Sequence, residues 1–178
     1  MSFLDKIKGA FSGDSKKNET VEEVREVRSD EIILAPLTGE VKNIKECSDP
    51  VFAQEIVGKG VIIVPSEGKV YAPVDGKISM LAETGHAVGI TSDNGTELLI
   101  HIGLDTVELE GKPFDIKAEN NANVKRGDLL IEFNIEEIKA AGKEIQSPVI
   151  VTNTDDKTIT SLKLGQINHG EDLLKIEA

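Results

Sequence analysis

Aromatic residues are scarce in this 178-residue chain, which has no tryptophan, one tyrosine and five phenylalanines. With few stacking platforms and a formal net charge of −12, it lacks both ingredients of nucleic-acid binding, base stacking and phosphate neutralisation. The single cysteine, Cys47, excludes an internal disulfide and a cysteine-rich zinc cluster, and it fits a reducing compartment. No apolar run approaches the ~20 residues of a membrane-spanning helix. The opening MSFLDKIKGAF also lacks the apolar core of a signal peptide, so a soluble cytoplasmic protein is expected. HExxH, GxSxG, GxGxxG and GxxxxGK[ST] are all missing, which removes the common metalloprotease, serine hydrolase, dinucleotide and P-loop chemistries.

What is present is Val, Ile and Leu in short runs. Phe3, Leu4, Ile7 and Phe11 recur at helical spacing between lysines, so residues 1–11 read as a short amphipathic helix able to make at most weak membrane contact. Residues 12–30 are almost all charged or small and read as a flexible linker; 31–178 read as one folded domain. There, Gly, Pro, Asn and Asp punctuate β-branched runs every ten residues or so, which predicts an all-β, antiparallel sandwich. Strands are expected at 32–35, 40–44, 60–64, 69–71, 77–81, 86–92, 97–102, 129–134, 149–152, 166–168 and 173–177, and one short helix at 135–141. Two echoes predict internal pseudo-symmetry. LAPLTGEVKNI (34–44) matches YAPVDGKISML (71–81), and NVKRGDLLIEF (123–133) matches QINHGEDLLKI (166–176).

The chemistry-bearing stretch is GHAVGITSDNGTELLIHIGLDTVEL (85–109), with two of the three histidines. Asn94-Gly95 predicts a two-residue type I′ turn flanked by Asp93 and Thr96. That register sets Val88 opposite His101 and Gly103 opposite His86, making the two imidazoles diagonal neighbours roughly 7–8 Å apart at Cα. Their shared face would carry Val88, Ile90 and Leu99. As metal ligands the pair needs a third donor, from Asp105, Glu97, Glu108 or a partner protein. As a hydrolase it lacks a nucleophile, since Cys47 has no argued proximity. As nucleophiles, neutral imidazoles attack phosphoryl groups, one reacting while the other stabilises charge. A packed strand histidine is the plain alternative. His169, in the glycine-flanked INHGE turn, reads as an exposed structural residue.

HIGLDTVELEGKPF (101–114), APVDGKI (72–78), ETGHAVGI (83–90) and DPVFAQEIVGKG (49–60) together resemble the glucose-type IIA family of the bacterial phosphoenolpyruvate-dependent sugar phosphotransferase system. The resemblance implies an antiparallel β-sandwich and a phosphoryl relay. His101 would accept the group on Nε2 from the phosphocarrier HPr and donate it to the cysteine of a IIB domain on a sugar permease. His86 would be the second histidine of the transfer and Thr84 the hydroxyl that hydrogen-bonds to the site, with Asp49 and Asp105 as acidic residues on its border. The resemblance also implies zinc held between His86, His101 and a partner's carboxylate in some members. It puts Val88 and Leu99 on the docking face, where some relatives carry phenylalanines. Residues 1–30 suggest a standalone protein rather than the end of a permease. The competing reading is a non-catalytic regulatory module that docks transporters or metabolic kinases through the histidine face.

Overall fold

The structure, a computed structural model, describes residues 30–177. The helix expected at 1–11, and all but the last residue of the linker expected at 12–30, lie outside the described residues. The strands are β1 (Glu31–Leu34), β2 (Gly39–Asn43), β3 (Lys59–Pro65), β4 (Lys69–Tyr71), β5 (Gly76–Leu81), β6 (Ala87–Ser92), β7 (Glu97–His101), β8 (Phe114–Ile116), β9 (Asn123–Val124), β10 (Leu129–Phe133), β11 (Ser147–Val151), β12 (Thr158–Ser161), β13 (Gly165–Ile167) and β14 (Asp172–Glu177). All eleven expected strands are present with their ends shifted by at most two residues. Three more, β8, β9 and β12, are short and carry polar residues, so no alternation marks them. The expected helix is α2 (Ile135–Ala140), capped by the Asn134 side chain. A second helix, α1 (Pro50–Ala53), is one turn started by the Asp49 cap and Pro50.

An eight-stranded sheet in the order β13-β2-β3-β11-β7-β6-β5-β9 forms one layer; two three-stranded sheets, β1-β14-β12 and β4-β10-β8, complete the fold. Every pairing is antiparallel. The main core holds Ile33, Ile63, Ile78, Ile90, Ile100, Ile131 and Leu174 among others. On the other face of the large sheet a smaller cluster packs Ile44, Cys47, Phe52, Leu104 and Ile150. This two-sided cover explains why β11, SPVIV, is buried at every position and shows no alternation.

The sequence echoes correspond to an internal twofold. Ala35 N–H donates to the Glu171 carbonyl and Ala72 N–H to that of Asp128, both at 2.8 Å. Leu34 N–H meets the Pro73 carbonyl, and Tyr71 N–H that of Pro36. Side chains repeat the pattern: Thr38 Oγ1 accepts from His169 N–H at 3.0 Å, and Asp75 Oδ1 from Arg126 N–H at 2.8 Å. Even the bulges correspond, one between Ile33 and Leu34 and one between Leu129 and Ile131. The axis passes between β7 and β11, where Ile100 faces Val149.

The β6–β7 hairpin departs from the expected register. Gly95 N–H donates to the Ser92 carbonyl, Ser92 N–H to that of Thr96, and Gly95 has φ +97° while Asn94 does not have positive φ. The loop is therefore three residues, Asp93 to Gly95, a type I turn closed by a glycine bulge rather than a type I′ turn. Ala87, not Val88, faces His101. With a side-chain period of two, the slip sends Val88 and Ile90 into the main core with Leu98 and Ile100, so Val88 is not on a docking face. Leu99 and His101 share the opposite face with Ala87 and Gly89.

Candidate active site

His101 ends β7 and His86 immediately precedes β6, where strict alternation no longer governs its side chain. Ile102 N–H donates to the His86 carbonyl at 2.7 Å, so Ile102, not Gly103, stands opposite His86. The rings nevertheless meet, with centroids 5.2 Å apart and planes at 74°. The expected neighbourhood is present by a different route from the one the turn predicted.

Each imidazole is fixed through Nδ1. His101 Nδ1 lies 2.8 Å from the Gly103 carbonyl, and His86 Nδ1 lies 2.6 Å from Thr84 Oγ1. A carbonyl only accepts, so His101 Nδ1 carries the proton and neutral His101 presents a bare lone pair at Nε2. Phe52, from α1, lies against the His101 ring at 5.4 Å and 55°. Burial pushes His101 below the ordinary imidazole value, opposed by the Gly103 hydrogen bond and the charges of Asp49 and Asp105. Burial, then the neighbouring His101 ring, lowers His86 likewise. Both rings are neutral at pH 7, the form in which imidazole is a nucleophile.

Asp49 and Asp105 border a hollow of about 340 Å³ together with Ser48, Pro50, Leu104 and Glu144. Asp49 Oδ1 accepts from Val51 N–H at 2.9 Å. Asp105 begins the 3-10 turn Thr106–Leu109 with φ +59° and no side-chain cap bond, leaving its charge to act on His101. Cys47 sits closer to the site than expected, in the cluster that holds Phe52 and Leu99, yet its thiol is buried and pushed up by burial, the opposite of nucleophile activation. Glu108 pairs with Lys143, and Glu97 lies at the far end of β7 from His101. Among the described residues no group of three or more His, Cys, Asp or Glu side chains could hold a metal ion. His169 is exposed as expected, stacked on Tyr71 at 3.9 Å. Sequence reasoning did not single out Phe52, Glu144, Ser147 or Thr106; no short-range pattern connects them to the histidines.

Residues 31–157 match the family model described as phosphoenolpyruvate-dependent sugar phosphotransferase system, EIIA 1. The chain belongs to this family and is thus a phosphotransferase component of that system. More particularly, it is 51% identical to the glucose-specific EIIA component of Bacillus cereus over 127 residues, 71% of this chain and 77% of that protein. With the glucose-specific EIIA component of Staphylococcus epidermidis it shares 49% over 131 residues, 74% of this chain and 79% of the relative. The β-glucoside-specific EIIBCA component of Bacillus subtilis is 48% identical over 149 residues, covering 83% of this chain but only 24% of that longer protein. The solved glucose permease IIA from Mycoplasma capricolum superposes with a TM-score of 0.79 at 34% identity, over 83% of this chain and 96% of that one. These relatives support a phosphoryl-relay role and the β-sandwich fold.

Proposed function

We propose that His101 accepts a phosphoryl group from phospho-HPr and passes it to the cysteine of a IIB domain of a glucose-type sugar permease. The observation that carries this reading is the hydrogen bond from His101 Nδ1 to the Gly103 carbonyl, which leaves Nε2 free to react. The Nε2 lone pair attacks phosphorus as the bond to HPr breaks, its electron pair staying with HPr. The IIB thiolate then attacks the same phosphorus, and the N–P bond returns its electrons to His101.

His86 has the complementary task. When Thr84 donates to Nδ1, His86 Nε2 carries its proton and can donate to a phosphoryl oxygen in the transition state. Asp49 and Asp105 bring negative charge to the rim, which favours partners with a basic surface and keeps the transferred group from settling. Exposed Val51, Ile56 and Val107 supply apolar surface for docking. Regulated transporters or kinases would meet the same face. Zinc would find two nitrogen ligands in His86 and His101 and would need the rest from a partner carboxylate and solvent. The relay works in the cytoplasm, where HPr and the IIB domain meet it.

The test is labelling by phosphoenolpyruvate through enzyme I and HPr. His101→Gln takes up no label; uptake at the parental rate overturns the assignment. His86→Gln takes up label but donates to IIB at least about a hundredfold more slowly, the effect of losing one transition-state donor. Normal onward transfer by that variant removes His86 from the mechanism.

A further inference from the structure

Ser147 and Thr106 are buried hydroxyl residues that the transfer scheme does not use, each 0% exposed. Both act on the backbone around Gly103. In the peptide between Ile102 and Gly103, the carbonyl accepts from Thr106 Oγ1 at 2.5 Å and the N–H donates to Ser147 Oγ at 3.2 Å. Ser147 Oγ in turn donates a hydrogen bond to the Ile145 carbonyl at 2.8 Å. In the next peptide, the Leu104 N–H donates to the Glu144 carbonyl at 3.0 Å and the Gly103 carbonyl accepts from His101 Nδ1. Every polar group of both planes is engaged. The hinge between them is Gly103 at φ +71°, where a Cβ would lie 2.6 Å from Thr106 Cγ2 and 2.9 Å from the Glu144 carbonyl oxygen.

We infer that Ser147 and Thr106 are positioning residues of the transfer site: their hydroxyls clamp the Ile102–Gly103 peptide, aiming the Gly103 carbonyl at His101 Nδ1 and keeping Nε2 bare. The inference rests on His101 being the phosphoryl acceptor. In the other tautomer Nε2 bears the proton and has no lone pair for phosphorus, so loss of the carbonyl's aim removes reactive His101 without touching the ring. Networks of this kind act as a unit, because each hydrogen bond polarises the next.

The test uses the full chain with Ser147→Ala, Thr106→Val and Ser147→Thr. Two readouts are taken: the ¹⁵N shifts of the His101 imidazole, which report the tautomer, and single-turnover uptake from phospho-HPr. Ser147→Ala and Thr106→Val move the ¹⁵N shifts toward a mixed-tautomer average and slow uptake about three- to tenfold, the fold-change of one net hydrogen bond. Ser147→Thr, which keeps the hydroxyl, restores both. Parental shifts in Ser147→Ala and Thr106→Val overturn the inference, whether or not uptake slows, since slowed uptake alone reports lost stability. If Ser147→Ala does not fold, Thr106→Val preserves side-chain shape and decides the question. Displaced shifts combined with parental uptake by His101→Gln would support the clamp and overturn the reading of His101.

Discussion

The two halves related by the internal twofold share strands, bulges and turn hydrogen bonds, yet only one carries a pair of histidines in ring contact. His101 faces Ala87 in β7–β6; the corresponding pair in β11–β3 is Ile150 facing Gly60. Ile150 is 0% exposed and His101 is half-buried. The difference lies in the connections. Residues 44–58 join β2 to β3 and fold a 3-10 turn and α1 over the sheet, burying Ile150 under Ile44, Cys47 and Phe52. Residues 82–86 join β5 to β6 in five residues and leave the matching surface open. One sheet thus provides a sealed core on one side of its axis and a reactive face on the other. The long connection also serves that face, since its Phe52 and Asp49 reach across to His101.

The largest test of this contrast is truncation at the two matched positions. Ile150→Ala should cost about 3–4 kcal/mol, because the fixed cover above it cannot collapse into the cavity. His101→Ala should cost within about 1 kcal/mol while abolishing phosphoryl uptake. Urea unfolding of both variants checks the pair; equal losses would mean that the long connection does not seal its half.

A smaller effect concerns pH. Burial lowers both histidines below their unfolded value of about 6.5. Their neutral form is the one the fold favours, so the contribution is complete above about pH 6.5. It is lost as the pH falls toward the folded-state values, because the unfolded chain then binds protons that the native chain refuses. The parent should therefore lose stability between pH 7 and 5 faster than the double variant His86→Gln/His101→Gln, measured by urea midpoints across that range. Parallel curves would mean that the site does not desolvate its imidazoles.

The smallest effect addresses what the halves share. Thr38→Ala and Asp75→Ala each remove a side-chain acceptor from a backbone N–H at equivalent turns, and each should cost about 1 kcal/mol. A markedly larger loss at one would show that the symmetry of these bonds does not extend to their energies.

The sequence by itself determined much of this molecule. β-Branched runs punctuated by Gly, Pro, Asn and Asp marked eleven strands, the APLTG and APVDG echoes foretold the twofold, and two histidines fifteen residues apart across one hairpin were expected near one another. These signals are short-range, set by backbone preferences and alternation within one or two elements. The register of the hairpin was not among them: an Asn-Gly pair fits both a two-residue turn and the last two positions of a three-residue turn with a bulge. Total burial selects between them, and here it draws Val88 and Ile90 into the core with Leu98 and Ile100. Nor could local pattern bring Phe52 and Asp49, about fifty residues upstream, or Ser147, forty-four residues from Gly103, to the reactive ring. Tertiary structure decided those placements, because only the assembled eight-stranded sheet and the long β2–β3 connection fix which distant side chains a half-buried imidazole must meet.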